Sequence, residues 1–234
     1  MITRQVVLTL NPRHPSPDVA AQKLDTAAKR FGIASKRQQA MFMAQLTHES
    51  GLIPQEENLR YSAKRICQVW PSRFPTIEAA APCAYNPQAL GDRVYSGRMG
   101  NGPGEGHLYR GRGLVQLTGK GNYQTYGAMT GFDLVKDPDL LLQYGVGSLV
   151  AGAFWYNLGL NALAEAGNVR EVTRRINGGF NGLDDRERLY QRAVRVVPMG
   201  LMAVDAAPDL TTDLDADHAL FQGTFEQALA ALGG

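Results

Sequence analysis

Apolar side chains recur at helical spacing along most of the chain. In "KRQQAMFMAQLTHES", residues 36–50, Met41, Phe42, the stem of Gln45, Leu46 and Glu49 fall three or four apart and share one helix face. Ser35 supplies a cap at its start, Gly51 a stop at its end, and Pro54 blocks continuation. Ser16-Pro17-Asp18 reads as cap, first-turn proline and dipole-favoured acid, opening a helix that runs to Gly32. The same signals predict helices over 62–70, 86–95, 138–157 (Asp137 as cap, Pro138 in the first turn), 168–177 (Asn168 as cap, Gly178 as stop) and 184–197. With no internal repeat and no strand–helix alternation, the pattern predicts a mainly α protein.

One segment breaks the pattern. "SGRMGNGPGEGHLYRGRGLVQLTGKGNYQTYG", residues 96–127, is dense in glycine and interleaves Tyr109, Arg110, Arg112, Gln116, Thr118, Asn122 and Tyr123. A flexible surface loop is one reading. The aromatic, amide and guanidinium groups argue for a lined groove, where glycine lets backbone approach a ligand. Within it "LVQLT", residues 114–118, predicts a short strand in a small hairpin.

Composition adds bounds. At 234 residues, 44% hydrophobic and 20% charged, the chain can bury one substantial core. No run of eighteen apolar residues offers a membrane span. The opening "MITRQVVLTLNPRHP" lacks a small-residue cleavage site, so no signal peptide and cytoplasmic synthesis are expected. Cys67 and Cys83 lack metal spacing; free thiols are the simplest expectation, a disulfide the alternative. Every Lys and Arg lies at or before Arg195, whereas Asp205, Asp209, Asp213, Asp215, Asp217 and Glu226 follow it. Residues 1–199 thus hold 24 basic groups against 16 acidic ones, and the remainder is purely acidic. A basic body points to an anionic polymer, nucleic acid or charged glycan, without choosing between them. The division expected is a catalytic domain over 1–199 and an acidic linker with an amphipathic helix over 200–234, where Phe221, Phe225, Ala228, Leu229 and Leu232 form an apolar stripe.

Several chemistries are excluded. The spacing from Gly113 to Gly119-Lys120 misses that of a phosphate-binding loop by one residue, and Gly121 stands where Ser or Thr is needed. After His48-Glu49 the next histidine is His107, which rules out a His-Glu-x-x-His zinc site, and no Gly-x-Ser-x-Gly elbow is present. Carboxylate chemistry remains. Glu49 falls at the negative end of its helix dipole and on an apolar face, a setting suited to a proton donor. Glu57, beyond the Gly51 and Pro54 break, is on a loop able to reach an opposite cleft wall. A carboxylic acid facing a carboxylate is the equipment for cleaving a glycosidic bond. Two unrelated surface acids are the alternative.

"AQLTHESG", "YRGRGLVQLTGKGNY" and "INGGFNG" with the following "DDR" occur in the same order in glycoside hydrolase family 19. With "QAMFMAQLTHESG", "YSGRMGNGPGEG" and "INGGFNGLDDRERLY", the chain resembles the phage endolysin branch of that chitinase-like family over roughly residues 25–197. The resemblance implies a mainly α, lysozyme-like, two-lobed fold with a small β-hairpin beside the cleft. It implies Glu49 as general acid, Glu57 rather than Glu56 as general base, Thr118 as the hydroxyl that holds the attacking water, and Arg186 as the arginine linking the two carboxylates. Gln116, Asn122 and Asn177 match sugar-binding positions, and Tyr109 and Tyr123 are expected to join them or else to pack. Asn181 departs from the family, which has an acid there. The resemblance further implies inversion, with the carboxyls roughly 6.5–9.5 Å apart, and neither metal nor cofactor. The expected substrate is the β-1,4 glycan of bacterial peptidoglycan, cut by a monomer that accumulates in a host bacterial cytoplasm and acts in the periplasm after holin-mediated release. The alternatives are a chitinase, a non-catalytic wall-binding module and, weakly, a nucleic-acid binder.

Overall fold

A computed structural model describes residues 1–198; the helix expected within 200–234 lies outside the described residues. The elements run α1 (Arg4–Leu10), α2 (Pro17–Arg30), α3 (Lys36–Ser50), β1 (Gln55–Glu56), α4 (Ala63–Val69), α5 (Ile77–Ala80), α6 (Pro87–Tyr95), β2 (Arg112–Gly113), α7 (Lys120–Thr130), α8 (Tyr144–Asn157), α9 (Leu160–Glu165), α10 (Val169–Asn177) and α11 (Leu183–Val196). Short 3-10 turns cover Ala81–Cys83 and Pro138–Leu142.

Cap chemistry explains most of these boundaries. Ser35 accepts from the Gln38 N–H while the Gln38 side chain returns to the Ser35 backbone, a capping box worth about 1 kcal/mol. Ser62, Asn86 and Asn168 cap α4, α6 and α10 by accepting from the Arg65, Ala89 and Glu171 N–H groups, whereas Ser16 makes no side-chain cap bond at α2. Gly51 and Gly178 end α3 and α10 in the left-handed conformation.

The helices form two lobes. In the larger, α11 lies along α3 and α2 along α8, around a core that includes Phe31, Met41, Phe42, Phe154 and Trp155. Close approach of α2 and α8 requires Gly152: a Cβ there would stand 2.5 Å from the Phe31 ring. The smaller lobe packs Leu59, Ile66, Trp70, Phe74, Leu90, Val94 and Tyr95 from the segments between β1 and α6. Cys67 and Cys83, both in this lobe, are free.

Three expectations change. The helix over 138–157 is two elements, because Gln143 is extended between the 3-10 turn and α8. "LVQLT" is a tight turn instead of a strand: Leu117 bridges back to Arg112, and Gln116 takes φ 51°. The sheet is formed instead by β1 and β2, Gln55 opposite Gly113 and Glu56 opposite Arg112, antiparallel. Finally, the glycine-rich segment ends in a true helix, α7.

Candidate active site

A cavity of about 300 Å³ is lined by His48 and Glu49 from the end of α3 and by Gln55, Glu56, Glu57, Asn58, Tyr61 and Gln116. Glu49 closes the last turn of α3, one residue before Ser50 and the Gly51 stop. Packing of α11 on α3 brings in Arg186, whose side chain is 1% exposed. Its Nη2 donates to Glu49 Oε1 at 2.6 Å, its Nη1 to Gln45 Oε1, and its Nε to the Asn181 carbonyl at 3.4 Å. The arginine expected to link both carboxylates is therefore placed on Glu49, because it enters from α11, which packs on α3. Beside Glu49, His48 Nδ1 lies 2.8 Å from Asp185 Oδ2, and the His48 ring leaves no space for a Cβ on Gly182. The His48 contact holds the Asp185 carboxyl below its ordinary value.

Glu57 follows β1 directly and is buried. Its N–H donates to the Gly111 carbonyl at 2.8 Å, which fixes the backbone across from β2. The Tyr95 hydroxyl donates to Oε1 at 2.9 Å and the Gly111 N–H to Oε2 at 3.3 Å. Burial pushes the Glu57 carboxyl from 4.5 up to about 7, against the opposing pull of those two hydrogen bonds and of the Arg110 charge. The neighbouring Glu56 also lines the cavity but is more exposed, and it pairs with Arg110.

Gly111 is the point on which the wall converges. A Cβ at that position would stand 3.2 Å from Gln116 Oε1 and 3.4 Å from both Glu57 Cβ and Thr118 Oγ1. Gln116 is held by bonds from Nε2 to the Gln55 and Gly113 carbonyls at 2.9 and 3.1 Å. Thr118 Oγ1 donates to the Gln116 carbonyl at 2.9 Å, which leaves the oxygen's lone pairs for a further donor.

The remaining expected sugar contacts stand elsewhere. Tyr109 and Tyr123 are buried edge to face at 5.3 Å, and their hydroxyls donate to the Val135 and Arg110 carbonyls, so these rings pack the core behind the wall. Asn122 and Asn177 are also buried, with Nδ2 donating to the Thr118 and Asn181 carbonyls. They brace backbone, a position that burial dictates. Gln45 shares the Glu49 face of α3, as its spacing predicted, but Tyr95 carried no short-range signal, because it reaches Glu57 only through the packing of segments distant in sequence.

No protein-family model matches the chain. A Haemophilus influenzae protein named as a glycosyl hydrolase family 19 domain-containing protein is 41% identical to it over 177 residues, covering 73% of this chain and 85% of that one. The chain belongs to glycoside hydrolase family 19. An Arabidopsis thaliana endochitinase is 27% identical over 162 residues, covering 68% of this chain and 47% of its own length, so the chain spans about half of that plant protein. Chitinase C of Streptomyces griseus superposes with a TM-score of 0.55 at 20% identity, over 84% of this chain and 76% of that one. The family 19 member described here is thus a chitinase-like glycoside hydrolase with the mainly α, lysozyme-like fold expected of it. Among the described residues, no group of three His, Cys, Asp or Glu side chains is placed to hold a metal ion, and no helix is long and apolar enough to cross a membrane.

Proposed function

We propose that this family 19 enzyme hydrolyses the β-1,4 glycan strands of bacterial peptidoglycan, as an endolysin does, with Glu49 and Glu57 as the acid and base pair of an inverting reaction. The observation that supports the chemistry is that Glu49 and Glu57 line one cavity. Glu49 gives its proton to the leaving glycosidic oxygen. Glu57, ionised, takes a proton from water on the opposite face of the sugar ring, and that water bonds to the anomeric carbon as the glycosidic bond breaks. Thr118, beside Glu57 and Gly111, orients the water through its free lone pairs, and Gln116, whose two N–H groups are taken by the Gln55 and Gly113 carbonyls, presents its amide oxygen to the sugar. Arg186 and Gln45 hold the Glu49 carboxyl in line. The same proposal has the protein released to the wall through a holin-like pore.

Support for peptidoglycan comes from the "QAMFMAQLTHESG" and "INGGFNGLDDRERLY" stretches that resemble phage endolysins. Chitin is the second reading, favoured by relatives and structural neighbours named as chitinases. Incubation of the purified protein with sacculi and, separately, with chitin oligomers tests the choice. Release of soluble muropeptides whose reducing-end sugar is read by mass spectrometry is expected. Cleavage confined to chitin oligomers would reverse it.

A further inference from the structure

Tyr61 lines the catalytic cavity and has no part in the chemistry assigned so far. Its ring is half-buried and leans on Trp70, with centroids 5.8 Å apart at 56°, and Trp70 is itself fully buried in the core of the smaller lobe. The backbone is pinned as well. The Tyr61 carbonyl accepts from the Tyr85 N–H at 2.8 Å, and the next residue, Ser62, caps α4 through the Arg65 N–H. A side chain held at its ring and at its backbone loses little freedom when a ligand arrives, which is what pre-organised recognition requires.

Most polar groups around Tyr61 already have partners. Arg186 holds Glu49, Asp185 holds His48 Nδ1, and Tyr95 and Gly111 hold Glu57. The two amide hydrogens of Gln116 go to the Gln55 and Gly113 carbonyls. The Tyr61 hydroxyl, which can both donate and accept, has no hydrogen-bond partner among the described residues. Burial and the charge of the nearby Glu57 push the phenol above its ordinary value, so it remains a donor throughout the pH range in which Glu57 titrates. Two tyrosines thus stand near the same carboxyl in different states. Tyr95 is buried and engaged with Glu57 Oε1, whereas Tyr61 is half-exposed and its hydroxyl is unengaged.

We propose that Tyr61 is a substrate-contacting residue of this enzyme, which binds the sugar on the Glu57 side of the cavity by a hydrogen bond between its phenol hydroxyl and a sugar hydroxyl. A phenol suits this ligand because its apolar body matches the C–H groups of a sugar ring and its tip matches the hydroxyls. Trp70 is then a positioning residue that acts through the Tyr61 ring. The inference rests on Glu49 and Glu57 being the acid and base proposed above, and it holds for peptidoglycan and chitin alike.

Tyr61→Phe removes the hydroxyl and keeps the ring on Trp70. The variant is assayed on soluble glycan strands from sacculi and on chitin oligomers, and compared on whichever of them the wild-type protein cleaves. A loss of roughly five- to tenfold in kcat/KM is expected, the factor for one hydrogen bond. The melting temperature should be unchanged, since that hydroxyl bonds no other group among the described residues. The midpoint near pH 7 assigned to Glu57 should also stay in place. Tyr61→Ala, which removes the ring as well, should lose more activity; if it folds poorly, Tyr61→Phe decides alone. Wild-type kcat/KM in Tyr61→Phe would overturn the contact while leaving the acid and base intact. So would a displaced pH midpoint with activity recovered once Glu57 is fully ionised, because Tyr61 would then act only through that carboxyl. A wild-type protein that cleaves neither glycan would overturn the acid and base reading, and the contact with it.

Discussion

Glu57 illustrates what burial does to a single carboxyl. With its proton held up to about 7 in the folded protein against 4.5 for the free group, Glu57 takes up a proton on folding between those pH values. Stability therefore falls as pH rises from about 4.5 to about 7, by on the order of 3 kcal/mol. Glu57→Gln should remove this slope. The amide oxygen can still accept from Tyr95, but its nitrogen faces the Gly111 N–H, so a gain of about 1–3 kcal/mol at pH 8 and little at pH 4 is expected in urea unfolding. Identical pH dependence in both proteins would contradict it. Activity should behave in the opposite sense: if Glu57 is the base, kcat/KM rises as pH passes upward through about 7, whereas a fall there would move the proton-donor role to Glu57. Glu49→Gln keeps the shape and removes the transferable proton. Its expected loss of lysis is roughly 10² to 10⁴, with a lowered melting temperature because the buried Arg186 loses its counter-charge; near-normal lysis would sink the assignment.

At the scale of elements, the sequence was most readable where a side chain acts on its own neighbours. The caps at Ser35, Ser62, Asn86 and Asn168 and the stops at Gly51 and Gly178 are local chemistry, and the helices they bound appear within a residue or two of expectation. The glycine-rich segment does line the cavity through Gln116, as expected, but the helix that ends it was missed because glycines there serve packing. A Cβ on Gly119 would stand 2.4 Å from the Met99 side chain, and the Gly121 N–H donates to the Met99 carbonyl at 3.0 Å, so α7 starts pressed against another strand of chain. Glu49, Glu57, Gln116 and Thr118 could be named from motifs and Gln45 placed on the Glu49 face, but the Tyr95–Glu57 and Gln45–Arg186 contacts could not, since each forms only across tens of residues of sequence. Gly182 offers a test at this scale. It begins α11 at φ 70° with the His48 ring where a Cβ would go, and α11 carries both Asp185 and Arg186. Gly182→Ala should cost about 1–3 kcal/mol and lower activity, from left-handed strain and displacement of His48. Gly179→Ala, with open space around it, should stay within about 0.5 kcal/mol in the same unfolding experiment. A tolerated Gly182→Ala would show that the His48–Asp185 contact does not fix α11.

For the whole molecule the relevant quantity is the distribution of charge. The net charge of +2 is a near-cancellation: all 24 basic groups lie at or before Arg195, and six acids follow. On the proposed peptidoglycan substrate, whose stem peptides carry carboxylates, a basic body is expected to be attracted and an acidic extension to oppose that attraction. Removal of residues 200–234 leaves 24 basic groups against 16 acidic ones. The truncated protein should bind sacculi more tightly at low salt, and the difference should shrink as ionic strength rises, because the Debye length falls to about 8 Å at 0.15 M and exposed charges are then largely screened. Pelleting of the two proteins with sacculi across a salt series measures both slopes. Parallel slopes would mean that the acids after Arg195 leave the interaction with the wall unchanged, and the partition of charge along the chain would then call for a role apart from substrate binding.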